Sequence, residues 1–300
     1  MRTATHGRTW RAGPRGLPEQ SSSVVAMAAH PRSVRQYLAG QRWALQSRWA
    51  GHPSYLAYSR RRHPLAVLRA ETELVIEAYP RSANTFSAVA FQTSQPRPVR
   101  LAHHLHAPAQ IVAAARRGIP ILVPVRHPRE CAISIAIRAP HVSLTQALEA
   151  YRRFHEAVLP HRDACQVALF EDVTTDFGRV VEALNAKFGT GYVPFAHTPE
   201  NVERVYALIE ERARQPVYAP VIHAYVCGLI TSDELEAARR RARPSAGNGA
   251  AGVERRVARP SSERRDLQEQ LGERYRAAGL ARHREAAESA YRRFALDDAA

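Results

Sequence analysis

Four short apolar runs, each followed by a helical pattern, constrain this chain more than any other feature. Residues 74–79 (Leu-Val-Ile-Glu-Ala-Tyr), Val99 to His103, Pro120 to Val125 and Val167 to Phe170 read as strands. Helical patterns follow from Thr85, from Ala109 to Arg117, through Ala132 to Ile137, and from Phe177 to Phe188. Ser143 is a good N-cap for a further helix over Leu144 to Ala157. Strands that carry continuous apolar residues and alternate with helices belong to parallel sheets covered on both faces. The expected class is therefore α/β, a three-layer α/β/α arrangement around a central parallel sheet. With 300 residues, the chain can bury about three quarters of its unfolded surface without disulfides.

The flanks read differently. Residues 1–30 are rich in Arg, Gly, Ser and Pro and have no apolar period, so a disordered basic extension is expected there. The same composition fits an organellar transit peptide, and Met27 is a second candidate start. Residues 31–70 form a basic arm. Its helix, over residues 33–50, carries Val34, Tyr37, Leu38 and Leu45 on one stripe and Arg35, Arg42 and Arg48 off it. Such a helix either packs on the main domain or makes peripheral contact with a membrane surface or acidic partner, through residues 31–62. The main domain is expected over 71–300. Its last part is helical over Val202 to Arg214, Ser232 to Arg241 and after Ser261, with a Gly/Pro/Ser-rich segment at 244–260.

The net charge of +15 raises the question of nucleic acid. Its location answers against that. Residues 1–70 hold twelve arginines and one acid, Glu19, whereas residues 71–300 hold 31 basic and 27 acidic residues, a net of only +4. Three widely spaced cysteines, Cys131, Cys165 and Cys227, give neither a disulfide framework nor a zinc signature, and a reduced, cytoplasmic setting is expected.

In open parallel sheets, ligands bind at the carboxyl ends of the strands, near helix N-termini. The turn after the first strand, Pro80-Arg81-Ser82-Ala83-Asn84-Thr85-Phe86, lies there. Its backbone N–H groups can wrap an anion, Ser82, Asn84 and Thr85 add side-chain donors, and Arg81 adds a forked cation. A plain strand–helix connection with a polar cap is the alternative. It is not a GxxxxGK[ST] loop, because the only lysine, Lys187, is followed by Phe188. After the third strand comes Arg126-His127-Pro128, with Ser134 about two turns into the next helix. Together they could grip one phosphate from two directions.

These two elements resemble the phosphate-binding signatures of the sulfotransferases that use 3′-phosphoadenosine 5′-phosphosulfate (PAPS). The likeness extends to His106-Ala107-Pro108, similar to the family's H-x-P segment, and to Phe170-Glu171-Asp172, similar to its Y-E-D. It also takes in Gly249-Ala250-Ala251-Gly252-Val253-Glu254-Arg255, which resembles its late G-x-x-G-x-x-[KR] loop. It covers roughly residues 73–280, with five motifs in the family's order. The resemblance implies a P-loop NTPase-like sulfotransferase fold and transfer of a sulfuryl group from PAPS to a hydroxyl or amine, releasing adenosine 3′,5′-bisphosphate. It casts the Arg81 turn (Arg81 to Phe86) on the 5′-phosphate and Arg126 with Ser134 on the 3′-phosphate. Phe86 and Phe170 would be aromatic faces for adenine, and Gly249, Gly252 and Arg255 a closing loop. His106 would be the catalytic base, with His104 as the reserve, and no metal is implied. A His104/His106 metal pair is the minor alternative. Departures are Ala83 where the family usually has Gly, Phe86 for Trp, Phe170 for Tyr, and Gly247-Asn248 where many members carry Arg-Lys.

Two rival classes stay open. A basic nucleic-acid-binding module would use Arg60-Arg61-Arg62 with Tyr55 and Tyr58, against the near-neutral body. A nucleotide kinase would need the lysine that is missing. Gly247 to Gly252 also spells GxGxxG, but a helix rather than a strand precedes it, so a dinucleotide fingerprint is rejected. The acceptor, a small molecule or carbohydrate, would be read by Arg138 to Ala157 and residues 190–230, which include Tyr192, Phe195, Tyr206, Tyr218 and Tyr225.

Overall fold

The structure, a computed structural model, describes residues 33–241 and 262–296. Four parallel strands, β1 (Leu74–Ile76), β2 (Leu101–His103), β3 (Ile121–Val125) and β4 (Gln166–Leu169), form one sheet in the order β2-β1-β3-β4. Successive strand side chains point to opposite faces, and both faces are apolar here. Val75, Ile121, Val123 and Val125 join one core with α5 (Pro128–Arg138), α6 (Leu144–Val158) and α13 (Ala281–Ala295). Leu74, Ile76 and Leu122 join the other with α3 (Asn84–Ser94), α8 (Phe177–Phe188), α9 (Pro199–Arg214) and α10 (Ala219–Val226). The result is helix, sheet, helix in three layers, as the apolar strands require. Leu74, Ile76, Ile121 and Leu122 are fully buried, and each such side chain contributes roughly 1.5–3 kcal/mol.

Two boundaries differ from the sequence pattern, and both matter for the site. The first strand ends at Ile76. Glu77, Ala78 and Tyr79 stay buried but leave the ladder after Glu77 N–H donates to the Leu122 carbonyl. Phe170 does not close a strand; it opens a short helix, α7 (Phe170–Thr175). Helix α4 (Pro108–Ala115) follows β2, and α11 (Ser232–Arg241) and α12 (Ser262–Arg276) complete the described elements with two 3-10 turns.

The arm is docked, and its apolar stripe faces outward. Helix α1 (Val34–Trp49) starts with a capping box between Ser33 and Gln36. Its buried residue is Gly40, where a Cβ would come within 2.5 Å of the His141 carbonyl. Close approach of α1 to the α5–α6 connection therefore rotates Val34, Tyr37, Leu38 and Leu45 into solvent, at 55% to 75% exposure. Helix α2 (Pro53–Arg62) lies beside α4, and Ala50, Tyr55, Leu56, Ala66 and Val67 share a small core with Leu105, Ala107 and Ala109. The arm thus backs the loop after β2.

The outer side of β2 is closed as well. Its outward N–H groups, on Leu101 and His103, donate to the carbonyls of Cys227 and Ala66. Cys227 ends α10, and Gly228 follows with φ of 67°. A Cβ on residue 228 would stand 1.9 Å from the Val99 carbonyl oxygen, so only glycine lets α10 end against the strand. No described helix is long and apolar enough to cross a membrane. The expected basic extension over residues 1–30 and the loop containing Gly249, Gly252 and Arg255 lie outside the described residues.

Candidate active site

The strand order creates a crevice. From β1 the chain moves to β2 on one side, then passes back across β1 to β3 on the other. Loops leaving β1 and β3 diverge at their carboxyl ends, which is where open α/β sheets take ligands. The Arg81 turn leaves β1 and Arg126 leaves β3, so both expected anion grips flank this point.

The loops here have unusual backbones. Among the described residues, the non-glycine residues with positive φ are Arg81 (74°), Ala83 (65°), His104 (70°) and His106 (53°). All four follow β1 or β2 at the same sheet edge. Such conformations cost of order 1–3 kcal/mol each and persist where surroundings impose them. Ala83 occupies the left-handed region where the resembling family has glycine, so its methyl group is tolerated at a cost. Ala83 is also the N-cap of α3 and offers no side-chain cap. The first-turn N–H groups of α3 are thereby left for an anion.

Glu77 anchors both loops that carry these residues. It is fully buried, and five N–H donors converge on it. Oε1 accepts from Ala78 N (3.2 Å), Asn84 Nδ2 (3.0 Å) and His106 N (2.9 Å). Oε2 accepts from Leu105 N (3.0 Å) and Gln110 Nε2 (3.0 Å). One carboxylate thus ties the loop after β1 to the loop after β2. Burial pushes its carboxyl up to about 7 against the opposing pull of these donors. Since all five contacts are donors, the ionised form is the one the cage accommodates in full. Glu77 is not among the site residues expected from the sequence. Its signal was an acid inside an otherwise apolar strand, a position that demands partners.

His106 is held in a definite state. Its Nδ1 lies 2.7 Å from the Ala78 carbonyl, so that nitrogen carries the proton and donates it, leaving Nε2 as the acceptor. Burial lowers its pKa and the nearby Arg81 charge lowers it further, against the carbonyl bond that raises it. The side chain remains 25% exposed. A neutral imidazole with an accepting Nε2 is the form a general base needs. His104 stands beside it, with ring centroids 4.8 Å apart, and its Nδ1 is 3.4 Å from Thr85 Oγ1. Burial keeps His104 well below the usual histidine range.

The cations form one group rather than two grips. Arg81 Nε donates to Ser134 Oγ at 2.9 Å, and Arg126 Nη1 reaches the Arg81 carbonyl at 3.4 Å. The Arg126 guanidinium lies 4.0 Å over the Phe170 ring, so that ring face is covered by the cation instead of standing open for a base. Glu130 Oε2, 3.7 Å from Arg126, offsets part of its charge. Three further expectations are corrected. Ser82 is fully buried with its Oγ 3.4 Å from Cys131 Sγ, and Asn84 faces Glu77, so neither side chain points at an anion. Phe86 is 6% exposed and packs among Phe177, Phe195, His197 and Tyr206, so it is core and not an adenine face. The turn contributes backbone N–H groups and Arg81, with Ser82, Asn84 and Phe86 as its internal scaffold.

No family model, curated protein or solved structure matches this chain.

Proposed function

We propose that the protein is a sulfotransferase that takes a sulfuryl group from PAPS and gives it to a hydroxyl or amine acceptor, on a P-loop NTPase-like sulfotransferase fold. The observation that carries the reading is the convergence of Arg81, Arg126, the uncapped start of α3 and the accepting Nε2 of His106 at one sheet edge. The residues fit an adenosine bisphosphate donor: two arginines and a helix N-terminus suit phosphates, and a neutral imidazole stands beside them. The donor, when bound, supplies an activated sulfuryl group on a phosphate leaving group.

Sulfuryl transfer resembles phosphoryl transfer in needing mostly position and charge stabilisation. His106 Nε2 accepts the acceptor hydroxyl proton as the acceptor oxygen approaches sulfur. Arg81 and the α3 N–H groups oppose the negative charge that grows on the leaving oxygen. Ser134 holds the Arg81 guanidinium in place, and Arg126 steadies the turn through the Arg81 carbonyl while offering its own charge to a second phosphate. A kinase reading lacks the lysine that a P-loop uses.

Calorimetry tests this without knowledge of the acceptor. Adenosine 3′,5′-bisphosphate should bind more tightly than adenosine 5′-monophosphate or ATP. Arg126→Ala should weaken it by about 1.5–3 kcal/mol, the range for hydrogen bonds to charged groups. Equal affinity for the mono- and bisphosphate would remove Arg126 from the 3′-phosphate role.

A further inference from the structure

A second cluster lies at the outer edge of β2 and takes no part in the chemistry above. His103, His223 and Cys227 bring one ligand atom each to within 4.8 Å of one another. Cys227 Sγ is 3.5 Å from His103 Nε2, and 3.8 to 3.9 Å from the ring nitrogens of His223. Tetrahedral zinc has Zn–S near 2.3 Å and Zn–N near 2.0–2.1 Å, which sets sulfur and nitrogen ligands about 3.6 Å apart. Cys227 Sγ already stands within a few tenths of an ångström of that spacing from each histidine, and the two histidines, within 4.8 Å of one another, would close by a rotamer adjustment of half-buried His223.

We propose that His103, His223 and Cys227 form a zinc site that clips α10 to the edge of the sheet. This departs from the metal-free expectation of the sequence, in which His103 and Cys227 are more than a hundred residues apart. His223 and Cys227 sit four residues apart, one turn along α10 and its cap, so they share a face. His103 comes from β2, and the docking of Gly228 on Val99 fixes its distance from Cys227 through the backbone. His103 is itself fully buried, its Nδ1 has no hydrogen-bond partner, and its Nε2 meets the thiol. Nε2, the nitrogen that faces the thiol, is the atom through which the ring would bind a metal. Arg212 lies within electrostatic reach of all three residues. Burial pushes the Cys227 thiol up to about 12, the Arg212 charge works against that rise, and a metal must displace the thiol proton to bind.

On binding, a sulfur–zinc bond and two nitrogen–zinc bonds form, and the Cys227 thiol proton passes to solvent. Three protein ligands leave a fourth position for water on the side of half-buried His223. The site lies one residue before His104, so the metal would stiffen the loop that carries His106. Its chemistry is independent of the sulfotransferase reading.

The test is titration of the full chain with Co²⁺ and then Zn²⁺. One Co²⁺ per chain should bind with a thiolate-to-cobalt charge-transfer band in the near ultraviolet, and Zn²⁺ should bleach it and raise Tm. Cys227→Ser should abolish the band, and His223→Gln, which keeps the thiol, should weaken Zn²⁺ binding at least about 100-fold. Absence of the band in the wild type, its survival in Cys227→Ser through Cys131 or Cys165, or unchanged affinity in His223→Gln would each overturn the assignment.

Discussion

Two regions of this molecule bury an ionisable group, and they do so in opposite ways. Beneath the crevice, Glu77 is enclosed by five N–H donors drawn from three segments of chain. In the core on the α6 side, His155 of α6 is packed among Tyr79, Tyr151, Phe154 and Phe294. Its Nδ1 meets the Tyr151 carbonyl, and its buried Nε2 has no partner. The first group is a keystone for strained loops. The second is mostly an aromatic-sized filler that carries a latent charge. A buried polar group is therefore informative by its partners, not by its burial.

The contrast is broken most directly at Glu77. Glu77→Ala leaves several buried donors without an acceptor, and chemical denaturation should register a loss of about 4 kcal/mol or more. A loss below about 1 kcal/mol would show that the cage is not what anchors the positive-φ loops. Next in size is His106→Ala, which should leave adenosine 3′,5′-bisphosphate affinity nearly intact while its release from PAPS in the presence of acceptor slows by roughly 10²–10⁴. If His104→Ala is dead and His106→Ala fully active, the base moves two residues back.

His155 sharpens the other side of the comparison. Burial lowers its pKa to about 4 from an ordinary value of 6.5. The unfolded chain therefore binds the proton first as pH falls. Stability from neutral His155 is present above pH 6.5 and is lost as the pH drops toward 4, by about 3 kcal/mol. His155→Phe should flatten that part of the unfolding profile while changing stability at neutral pH little. An unaltered acid slope would assign the acid sensitivity elsewhere. The smallest effect is expected at Ala83. Replacing it with glycine should relieve the left-handed strain and raise stability by up to about 1 kcal/mol, as Tm would report; a lower Tm would mean that the methyl group packs usefully.

The layered sheet was legible because Leu74, Ile76, Ile121 and Leu122 are apolar whichever face they meet. The Arg81 turn, Arg126 and His106 were legible as a sheet-edge group for the same topological reason. Side-chain direction was not. Ser82 and Asn84 are polar residues in a turn, and only the Cys131 and Glu77 contacts, brought by distant segments, turn them inward. The α1 stripe misleads because Gly40, a residue with no apolar side chain, sets the buried face. Of the cluster of His103 with His223 and Cys227, only the His223–Cys227 spacing of four residues is local; His103 joins it through the fold.

The closed flank of β2 bears on association. A terminal strand normally offers a row of open donors to any extended peptide, including a second copy of the same chain, and invites ordered aggregation. Here that row is already occupied: the Ala66 carbonyl from the arm and the Cys227 carbonyl from α10 take the donors of His103 and Leu101. The β2 side of the sheet cannot recruit a fifth strand unless both segments peel away together.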